Sequence, residues 1–446
     1  MSPTFSRTLL AGRRYAVLGL GRNGAPAARA LAAMGAAVTA WDDSEAGRAS
    51  LSPAIDGIHV CPLLDPTGFD ALVLSPGIPH ALPAPHPFAA SAIAAGIPVL
   101  SDAELLFEAV RASGSSARFA GITGTNGKST TTALLAHLLT VAGIPNAAGG
   151  NLGPASLSLP LLPDDGVYVL EMSSYMLERL RSLRFDTACL LNLSPDHLER
   201  HGDLSSYGAA KLAIFDRQTS SDLAVLGLDD PWSRAQEAVL RQTPAQLVTI
   251  SGTGGLPLPV ATLPGEHNAQ NAAAASAMAL HLGVPSKAVA AGLASFPGLA
   301  HRQRRIASMD GIAFIDDSKA TNADAAARAL GCYDRLIWIA GGIAKAGGIE
   351  ALVPYFPRVV EAMLIGRDGP LLAETLARHG VPYRLLGDLD RATPAAFASA
   401  RQHGIETILL SPACASFDQF PNFEARGLHF AALVHDLSLT PKHRTG

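Results

Sequence analysis

Residues 121–130 read GITGTNGKST, a glycine-rich segment that follows two apolar residues and precedes a helix-forming run over residues 131–140. Glycines at these positions let backbone N–H groups close around phosphate oxygens, because no side chain blocks the approach. Lys128 is long enough to reach the outer phosphates, and Ser129 offers a hydroxyl to a magnesium ion. The positive end of the following helix adds to the anion site. The segment therefore predicts that this chain binds a nucleoside triphosphate.

The match to a P-loop is incomplete. The strict pattern has a glycine five residues before Gly127, where this chain has Ile122, so only the compact form TGTNGKST over residues 123–130 is retained. The alternative interpretation is a glycine-rich turn between a strand and a helix in which the lysine is incidental.

The composition limits the classes of protein to consider. With 446 residues the chain exceeds what one hydrophobic core supports, so we expect two or three domains. Its 48% hydrophobic and 16% charged residues are typical of a globular protein, and the formal net charge of −4 does not favour a nucleic-acid partner. Four cysteines lie far apart without CxxC spacing, and no apolar run approaches the roughly 20 residues that span a bilayer. We therefore expect a cytoplasmic protein with reduced thiols and no membrane insertion.

Short apolar runs alternate with helix-forming stretches along the whole chain. Besides the strand that leads into the glycine-rich segment, strands are predicted at residues 15–18, 37–41, 71–74, 167–171, 187–193, 312–315, 336–340, 362–365 and 407–410. Repeated β–α–β units of this kind predict an α/β fold with parallel, doubly wound sheets. The pattern restarts at Ser101, a predicted helix N-cap with Glu104 as the acid of a capping box, and again after Ala300. We therefore predict three domains, at residues 1–101, 102–300 and 301–446.

A second glycine-rich turn lies near the N-terminus. Residues 19–24 read GLGRNG after a strand and before a helix, and Asp42 lies at the end of the next strand, where dinucleotide-binding units have a ribose-binding acid. Such a turn holds any diphosphate, so NAD, a nucleotide-sugar diphosphate and a tight turn without a ligand remain alternatives. The separate triphosphate site makes the nucleotide sugar as well supported as NAD.

Two side chains are candidates to bind a metal ion beside the triphosphate. Glu171 ends an apolar strand at the carboxyl edge, where open α/β sheets bind ligands, although capping of the next helix is an alternative role. Ser194 and Pro195 are typical of a helix N-cap and first position, so a helix is predicted to begin there. His197 in its first turn then points toward the same edge, where a neutral imidazole can ligate a metal. The alternative is an exposed histidine without a ligand.

Lys211 is predicted to lie on an apolar stripe. Helical spacing over residues 207–215 puts Tyr207, Lys211, Ile214 and Phe215 on one face. Burial lowers the pKa of an amine and favours its neutral form. A neutral amine reacts with carbon dioxide to give a carbamate, which is an oxygen ligand for magnesium. The alternative is a lysine whose stem packs on the stripe while its charge reaches solvent.

Polar residues follow two predicted strands of the third segment. Residues 316–322 read DDSKATN, and residues 411–420 read SPACASFDQF. Two such loops at the carboxyl ends of parallel strands suit a small anionic substrate. Cys414 in the second loop is interpreted as a structural thiol, because the sequence offers no histidine arrangement that would activate it.

Together these motifs resemble the ATP-dependent Mur ligases of peptidoglycan synthesis. In chain order they are TGTNGKST (123–130), NLSPDH (192–197), AK (210–211), GEHNAQN (265–271), HR (301–302), DSKATN (317–322) and SPACAS (411–416). Within that family, the GxGxxG turn of the short first domain and the SPACASFDQF loop resemble the branch that adds D-glutamate to UDP-N-acetylmuramoyl-L-alanine. The DNPR motif typical of the branch that adds diaminopimelate or lysine is missing.

The resemblance implies a Rossmann-like N-terminal domain, a central P-loop ATPase-like domain with a mostly parallel sheet, and a Rossmann-like C-terminal domain. It implies an ATP-dependent ligase that forms an acyl phosphate before D-glutamate attacks, and with it a role in cell-wall biogenesis, cell shape and cell division. The resemblance also implies a monomer whose substrates are ATP, D-glutamate and UDP-N-acetylmuramoyl-L-alanine. It implies two bound Mg²⁺ ions. A sibling that adds another amino acid, a folylpolyglutamate synthase and a non-catalytic nucleotide sensor remain alternatives.

The resemblance also implies roles for individual residues. Those implied to bind ATP are Gly124, Thr125, Asn126, Gly127, Lys128, Ser129, Thr130, Asn268, Asn271, Arg302 and Asp317. Those implied to bind the UDP-linked substrate are Gly21, Arg22, Asn23, Asp42, Gly77, Asn151 and His197. Those implied to bind D-glutamate are Lys319, Thr321, Lys345, Ser416 and Phe423. The implied magnesium ligands are Ser129, Glu171, His197 and Lys211 as its carbamate, and the implied catalytic residues are Lys128, His197 and Lys211.

Overall fold

Three sheets, each packed against helices, organise the chain. The computed structural model describes residues 4–51, 55–151, 153–253, 265–345 and 347–439. These residues form two compact units: one holds the described residues up to 253 together with 266–296, and the other holds Gly265 and the described residues from 297 onward. No helix among them is long and apolar enough to cross a membrane.

The first sheet has the strand order β3-β2-β1-β4-β5, and all of its strand pairs are parallel. Its elements are β1 (Arg14–Leu18), α1 (Gly24–Ala33), β2 (Ala37–Trp41), α2 (Glu45–Ala49), β3 (Ile58–Val60), β4 (Ala71–Leu74), α3 (Pro87–Ala94) and β5 (Val99–Leu100). β1 lies in the middle and is buried from its second residue, as expected for a parallel strand covered on both faces. The GLGRNG turn follows it directly, and a Cβ on Gly24 would collide with the carbonyl oxygen of Gly19.

The second sheet has the order β11-β10-β9-β6-β8-β7 and is also parallel in every pair. Its elements are α4 (Asp102–Ala112), β6 (Arg118–Thr123), α5 (Lys128–Val141), β7 (Asn146–Gly150), β8 (Val167–Glu171), α6 (Ser174–Leu177), β9 (Thr187–Leu190), α7 (Leu198–His201), α8 (Leu204–Leu212), β10 (Leu223–Gly227), α9 (Pro231–Ala235), α10 (Glu237–Leu240), β11 (Gln246–Ile250), α11 (Glu266–His281) and α12 (Ser286–Ser295). Because β8, β6 and β9 are neighbours, the loops after them lie at one edge of the sheet.

The third sheet has the order β12-β13-β17-β14-β15-β16, with only the β12–β13 pair antiparallel among the described strands. Its elements are β12 (Arg304–Met309), β13 (Ile312–Asp316), α13 (Ala323–Leu330), β14 (Leu336–Gly341), β15 (Val359–Ile365), α14 (Gly369–Arg378), β16 (Tyr383–Gly387), α15 (Leu389–His403), β17 (Thr407–Leu410) and α16 (Phe423–Leu439). The loops after β13, β17 and β14 therefore meet at one edge of this sheet.

The predicted α/β class with mostly parallel sheets is confirmed. The strands predicted at 37–41, 71–74, 167–171 and 407–410 have the observed bounds, whereas the one predicted at 187–193 ends at Leu190. The first two sheets share one buried hydrophobic cluster, which includes Val17, Phe119 and Leu190. The proposed domain boundaries at 101 and 300 stay predictions.

Two local predictions are wrong, both because tertiary contacts compete with the local signal. No helix begins at Ser194: its backbone N–H donates to Thr125 Oγ1 (3.0 Å) and its carbonyl accepts from the same hydroxyl (3.2 Å), so α7 starts only at Leu198. Ser101 does cap α4, since its hydroxyl accepts from the Glu104 N–H at 3.3 Å. The carboxylate of Glu104 completes no capping box, however, and instead accepts hydrogen bonds from residues 181–183.

Candidate functional site

The turn after β6 has the geometry of a phosphate-binding loop. Gly124 and Gly127 have φ of 144° and 86°, values that side chains disfavour, and a Cβ on Gly127 would collide with Oδ1 of Asn271. The Nζ of Lys128 donates to the carbonyls of Gly124 (2.8 Å) and Thr125 (2.9 Å), so the ammonium is folded back over the turn. The first turn of α5 contains no acid, which leaves its positive end able to attract an anion.

Asn192, to which the sequence analysis assigned no role, holds this turn from the end of β9. Its Oδ1 accepts from the N–H of Asn126 at 2.9 Å, its Nδ2 donates to the Asn126 carbonyl at 3.1 Å, and its own carbonyl accepts from the N–H of Thr125 at 2.9 Å. Asn268 and Asn271, two residues implied to bind ATP, lie on α11, where Nδ2 of Asn271 donates to Oδ1 of Asn268 at 3.1 Å and both side chains are buried.

Glu171 is a buried carboxylate that the described protein groups satisfy only in part. Its Oε1 accepts from Nδ2 of Asn151 at 2.8 Å, and its backbone carbonyl accepts from the N–H of the same residue at 2.8 Å. Its Oε2 is buried and has no hydrogen-bond partner among the described residues. Because an unpaired buried carboxylate oxygen is costly, this atom is suited to a cation.

Lys211 is only 1% exposed, so its amine does not reach solvent. This excludes the alternative in which only its stem packs on the apolar stripe and its charged end is solvated. Burial, and then the positive charge of Lys128, hold the pKa of Lys211 well below its ordinary value, although Asp196 and Glu171 act in the opposite direction. Its Nζ donates to the carbonyl of Gly124 at 3.0 Å and lies 4.5 Å above the ring of Tyr207. The structure therefore favours a neutral amine beside the phosphate-binding turn.

His197 lies at the same edge, partly exposed and in the left-handed conformation with φ of 54°. Its ring is 5.3 Å from that of Tyr175 and 6.1 Å from that of Tyr207. Partial burial lowers the pKa of His197, while the nearby carboxylates of Asp196 and Glu199 raise it. The lowered pKa favours the neutral imidazole that ligates metals.

The residues present fit a magnesium ion best if Lys211 is converted to a carbamate. Among the described residues, no cluster of three or more His, Cys, Asp or Glu side chains is arranged to hold a metal. Glu171 supplies an unpaired oxygen, whereas a protonated Lys211 would repel a cation. Conversion of the buried amine to a carbamate would replace a positive charge by a second oxygen ligand, the donor type that magnesium prefers.

The predicted contacts to the UDP-linked substrate lie mostly around the first sheet. Gly21, Arg22 and Gly77 are exposed. Both carboxylate oxygens of Asp42 already accept hydrogen bonds, one from the N–H of Leu20 (2.7 Å) and the other from the N–H and hydroxyl of Ser44.

Asn23 is only 8% exposed and joins the first two sheets. Its Nδ2 donates to the carbonyl of Gly150 at 3.3 Å and to Asp102 at 3.4 Å. The Gly150 carbonyl directly precedes Asn151, another predicted contact to the same substrate. Asn23 therefore supports the Asn151 loop by a contact that the sequence did not indicate.

In the second unit, some of the predicted D-glutamate contacts lie together. The Nζ of Lys319 is 4.7 Å from the ring centre of Phe423, and the N–H of Thr321 donates to the Lys319 carbonyl at 2.8 Å. Ser416 is buried, and Lys345 is exposed on the loop after β14, where the next residue lies outside the described part.

Arg426 is a buried residue of this unit that the sequence analysis missed. It is 1% exposed and donates to the hydroxyl (2.9 Å) and carbonyl (2.8 Å) of Ser318 and to the carbonyl of Cys414 (3.1 Å), so it joins the two polar loops. Burial lowers the pKa of Arg426 to about 10. The sequence carried one signal for the burial of Arg426, which is that this arginine lies within the apolar run of α16.

Burial raises the pKa of the Cys414 thiol to about 12, which agrees with the interpretation of Cys414 as a structural thiol.

Asp317 is a buried acid at the end of β13. Its Oδ2 accepts from the hydroxyl of Ser411 at 2.7 Å and its Oδ1 from the N–H of Gln303 at 3.2 Å. Burial raises the pKa of Asp317 to about 7, although the hydrogen bond from Ser411 and the charge of Arg302 oppose the shift. Next to it, Asp316 binds Nδ1 of His301 at 2.6 Å.

Known proteins resemble this chain over almost its whole length. Residues 122–257 match the Mur ligase middle domain. A UDP-N-acetylmuramoylalanine–D-glutamate ligase from Paramagnetospirillum magneticum is 48% identical over 448 residues, which cover 96% of this chain and 97% of the relative. The enzyme of the same name from Rhodospirillum rubrum is 45% identical and covers 96% of each chain.

Solved structures share the fold at much lower identity. A UDP-N-acetylmuramate–alanine ligase from Thermotoga maritima has a TM-score of 0.56 at 18% identity and covers 95% of this chain and 99% of its own. A bifunctional folylpolyglutamate synthase/dihydrofolate synthase from Yersinia pestis has a TM-score of 0.52 at 19% identity. The match covers 75% of this chain and 93% of that protein. At these identities the likeness concerns the fold alone.

Proposed function

The chain belongs to the Mur ligase family of ATP-dependent ligases, and we propose that its own reaction joins D-glutamate to UDP-N-acetylmuramoyl-L-alanine. The near-full-length similarity to ligases named for D-glutamate carries this proposal. The folylpolyglutamate alternative rests on a likeness of fold alone.

The first half of the proposed reaction takes place at the turn after β6. An acceptor carboxylate oxygen attacks the γ-phosphorus of ATP, the bond to the β-phosphate oxygen breaks, and ADP and an acyl phosphate form. We propose that Lys128, held over the turn by the carbonyls of Gly124 and Thr125, donates to the transferred phosphate. Backbone N–H groups of residues 124–130 hold the remaining phosphate oxygens.

Magnesium fits this half of the reaction through Ser129, Glu171, His197 and a carbamate on Lys211. When bound, it would neutralise charge that develops on the phosphate oxygens. The unpaired Oε2 of Glu171 and the buried amine of Lys211 support this assignment. The carbamate and a second magnesium site are parts of the proposal.

In the second half, the amine of D-glutamate attacks the acyl carbon, a tetrahedral intermediate forms, and phosphate leaves as the amine loses a proton. We propose that Lys319, Thr321, Lys345, Ser416 and Phe423 bind D-glutamate, and that Arg302 and Asp317 bind ATP. The protein contributes mainly by positioning the reactants. We also propose that the protein is a monomer and that it lies in the cytoplasm.

Phosphate release tests the function directly. The purified chain is incubated with ATP, magnesium and UDP-N-acetylmuramoyl-L-alanine, and each of a panel of L- and D-amino acids is added in turn. We expect release with D-glutamate and its loss by about 10²–10³-fold in a folded Lys128→Ala variant. Phosphate release with another amino acid would indicate a Mur ligase that adds that amino acid. Release with a folate acceptor would indicate a folylpolyglutamate synthase, and no release with any acceptor would indicate a non-catalytic sensor.

Calorimetric titration tests the ligand of the GLGRNG turn. We expect UDP and the UDP-linked substrate to bind and NAD to give no heat. Micromolar binding of NAD without a response to the UDP-linked substrate would reverse the proposal for the first sheet.

A further inference from the structure

A buried serine and a buried histidine are hydrogen-bonded beside the proposed metal site, and a more exposed glutamate contacts the other nitrogen of the histidine ring. Nε2 of His201 lies 2.9 Å from Oγ of Ser174, and Nδ1 lies 3.2 Å from Oε1 of Glu178. The side chain of His201 is 2% exposed, and Ser174 is also 2% exposed. The carboxylate of Glu178 beside Nδ1 favours the tautomer with its proton on Nδ1, so that Nε2 accepts from the hydroxyl of Ser174.

The order serine, histidine, acid is that of a hydrolase triad, but the burial excludes that chemistry. A nucleophilic serine must meet a substrate carbonyl, and the hydroxyl of Ser174 lies inside the protein. Burial also lowers the pKa of His201 to about 4, so a neutral imidazole is held between two fixed partners. The contacts of His201 with Ser174 and Glu178 therefore form a structural connection.

This connection links the segments that carry two proposed metal ligands. Ser174 and Glu178 belong to α6 and its C-cap, which begin three residues after Glu171. His201 ends α7, whose N-cap is His197. The hydrogen bond of His201 to Ser174 and its contact with Glu178 thus join the segment after β8 to the segment after β9, at the edge where the ligands must meet.

Two aromatic rings extend the connection to the ligands. The ring of Tyr175 stacks on His201 at 5.4 Å with an interplanar angle of 7°, and it meets His197 edge-on at 5.3 Å. The ring of Tyr207 is 5.2 Å from His201, and the Nζ of Lys211 lies 4.5 Å above it. His201 therefore packs against both rings that border His197.

The backbone of His197 requires such support. A non-glycine residue in the left-handed conformation is strained, so contacts elsewhere must hold it there. α7 has only four residues and cannot fix its own orientation. Its last residue, His201, is its buried anchor.

We infer that His201 is a positioning residue: through Ser174, Glu178 and the rings of Tyr175 and Tyr207, it sets the separation of Glu171 and His197. The inference rests on the proposed function, because it concerns ligands of the proposed metal site. Residues that orient metal ligands typically change metal affinity or activity by about 10–100-fold when replaced.

Two variants of the full chain separate hydrogen bonding from packing. His201→Phe keeps a ring that stacks on Tyr175 and removes the polar contacts to Ser174 and Glu178, whereas Ser174→Ala removes a single hydroxyl and preserves the ring. His59→Phe is the matched control, since His59 is exposed on β3 of the same unit. The measurements are kcat and KM as functions of magnesium concentration, and binding of Mn²⁺ alone by electron paramagnetic resonance.

We expect His201→Phe to weaken Mn²⁺ binding and to raise the magnesium concentration for half-maximal rate by about 10–100-fold, and Ser174→Ala to shift both in the same direction. The control His59→Phe should keep the wild-type metal dependence. The inference would be overturned if the variants gave less folded protein and the folded fraction kept the wild-type Mn²⁺ binding and magnesium dependence. A wild-type chain that releases no phosphate would instead refute the proposed function.

Discussion

Lys211 combines a buried position with a basic group and has no carboxylate hydrogen-bonded to its Nζ among the described contacts. Its Nζ donates to Gly124 O and, at 3.5 Å, to Thr123 Oγ1, and burial lowers its pKa. A charged amine is costly in such a place, whereas a neutral amine or its carbamate suits a neighbouring magnesium ion. The residue therefore carries the sharpest test of the proposed chemistry.

Replacement of Lys211 by alanine should lower kcat by at least about 10²–10³-fold, and short carboxylic acids should partly restore the rate by supplying the missing carboxylate. Lys211→Arg should stay inactive, because a guanidinium keeps its positive charge. Phosphate release measures both, with Lys287→Ala as the control because Lys287 is exposed on α12. Substantial activity in the arginine variant would contradict the carbamate.

His80 makes stability depend on pH. Burial, followed by the charges of Arg179 and Arg200, lowers the pKa of His80 to about 4. The unfolded chain takes up a proton at this residue below about pH 6.5, while the folded chain does so only near pH 4. The unfolded state therefore binds more protons between these values, and stability is lost as pH falls through them.

Urea unfolding at about pH 7.5 and about pH 5 tests this effect in His80→Gln. We expect the free energy of unfolding of the variant to fall less between the two pH values than that of the wild type. His59→Gln, at an exposed position, should follow the wild type. An equal pH dependence in His80→Gln would contradict the assignment.

At the scale of elements, the junction of β6 and α5 depends on Gly127. Its φ of 86° and its contact with Asn271 leave no space for a Cβ. Gly127→Ala should lose about 1–3 kcal/mol of stability and most of its affinity for a non-hydrolysable ATP analogue. Gly143→Ala is the control, because Gly143 at the other end of α5 has a similar φ of 74° but open space around it. Urea unfolding and calorimetry measure the two effects; equal ATP affinity in both variants would contradict the role of the contact.

Glu104 on α4 holds the turn after α6. Its carboxylate accepts from the N–H groups of Arg181 (3.0 Å), Ser182 (2.6 Å) and Leu183 (3.1 Å) and from the Ser182 hydroxyl. Glu104→Gln leaves one or two of these donors unpaired, and each unpaired donor costs about 1–3 kcal/mol. We therefore expect urea unfolding to show a free energy of unfolding about 2–4 kcal/mol lower than that of the wild type. Glu108→Gln, exposed one turn later, should change stability little. A wild-type stability in Glu104→Gln would show that the turn is held elsewhere.

At the scale of the whole molecule, the two compact units differ in the proposed ligands they carry. The unit up to Phe296 contains the turn after β6, whereas the proposed D-glutamate residues follow Pro297. A fragment that ends at Phe296 should therefore fold and bind a fluorescent ATP analogue without forming the amide bond, but more weakly than the full chain because it lacks Arg302 and Asp317. Circular dichroism, fluorescence titration and product analysis check these points, with the full chain as the reference. Loss of the folded state on truncation would contradict the independence of the unit.

Much of the fold was predictable because buried parallel strands are marked by continuous apolar runs. Such runs predicted β2, β4, β8 and β17 with their observed bounds. The ends of the predicted strands likewise indicated that Glu171 and His197 lie near the turn at 124–130, since adjacent parallel strands bring their carboxyl ends together. That Lys211 belongs to the same site was implied by the resemblance to the Mur ligases and stays a prediction.

The sequence by itself therefore determined the α/β class, the phosphate-binding turn and the burial of Lys211, all of which depend on local pattern and chain order. Only the tertiary structure decided how polar groups from distant segments pair. Ser194 binds Thr125 and begins no helix, Glu104 binds residues 181–183 and closes no capping box, and His201 joins two segments that carry proposed ligands. The physical reason is that a buried polar atom takes whichever partner the fold brings within hydrogen-bond distance, and that partner is not encoded nearby in the chain.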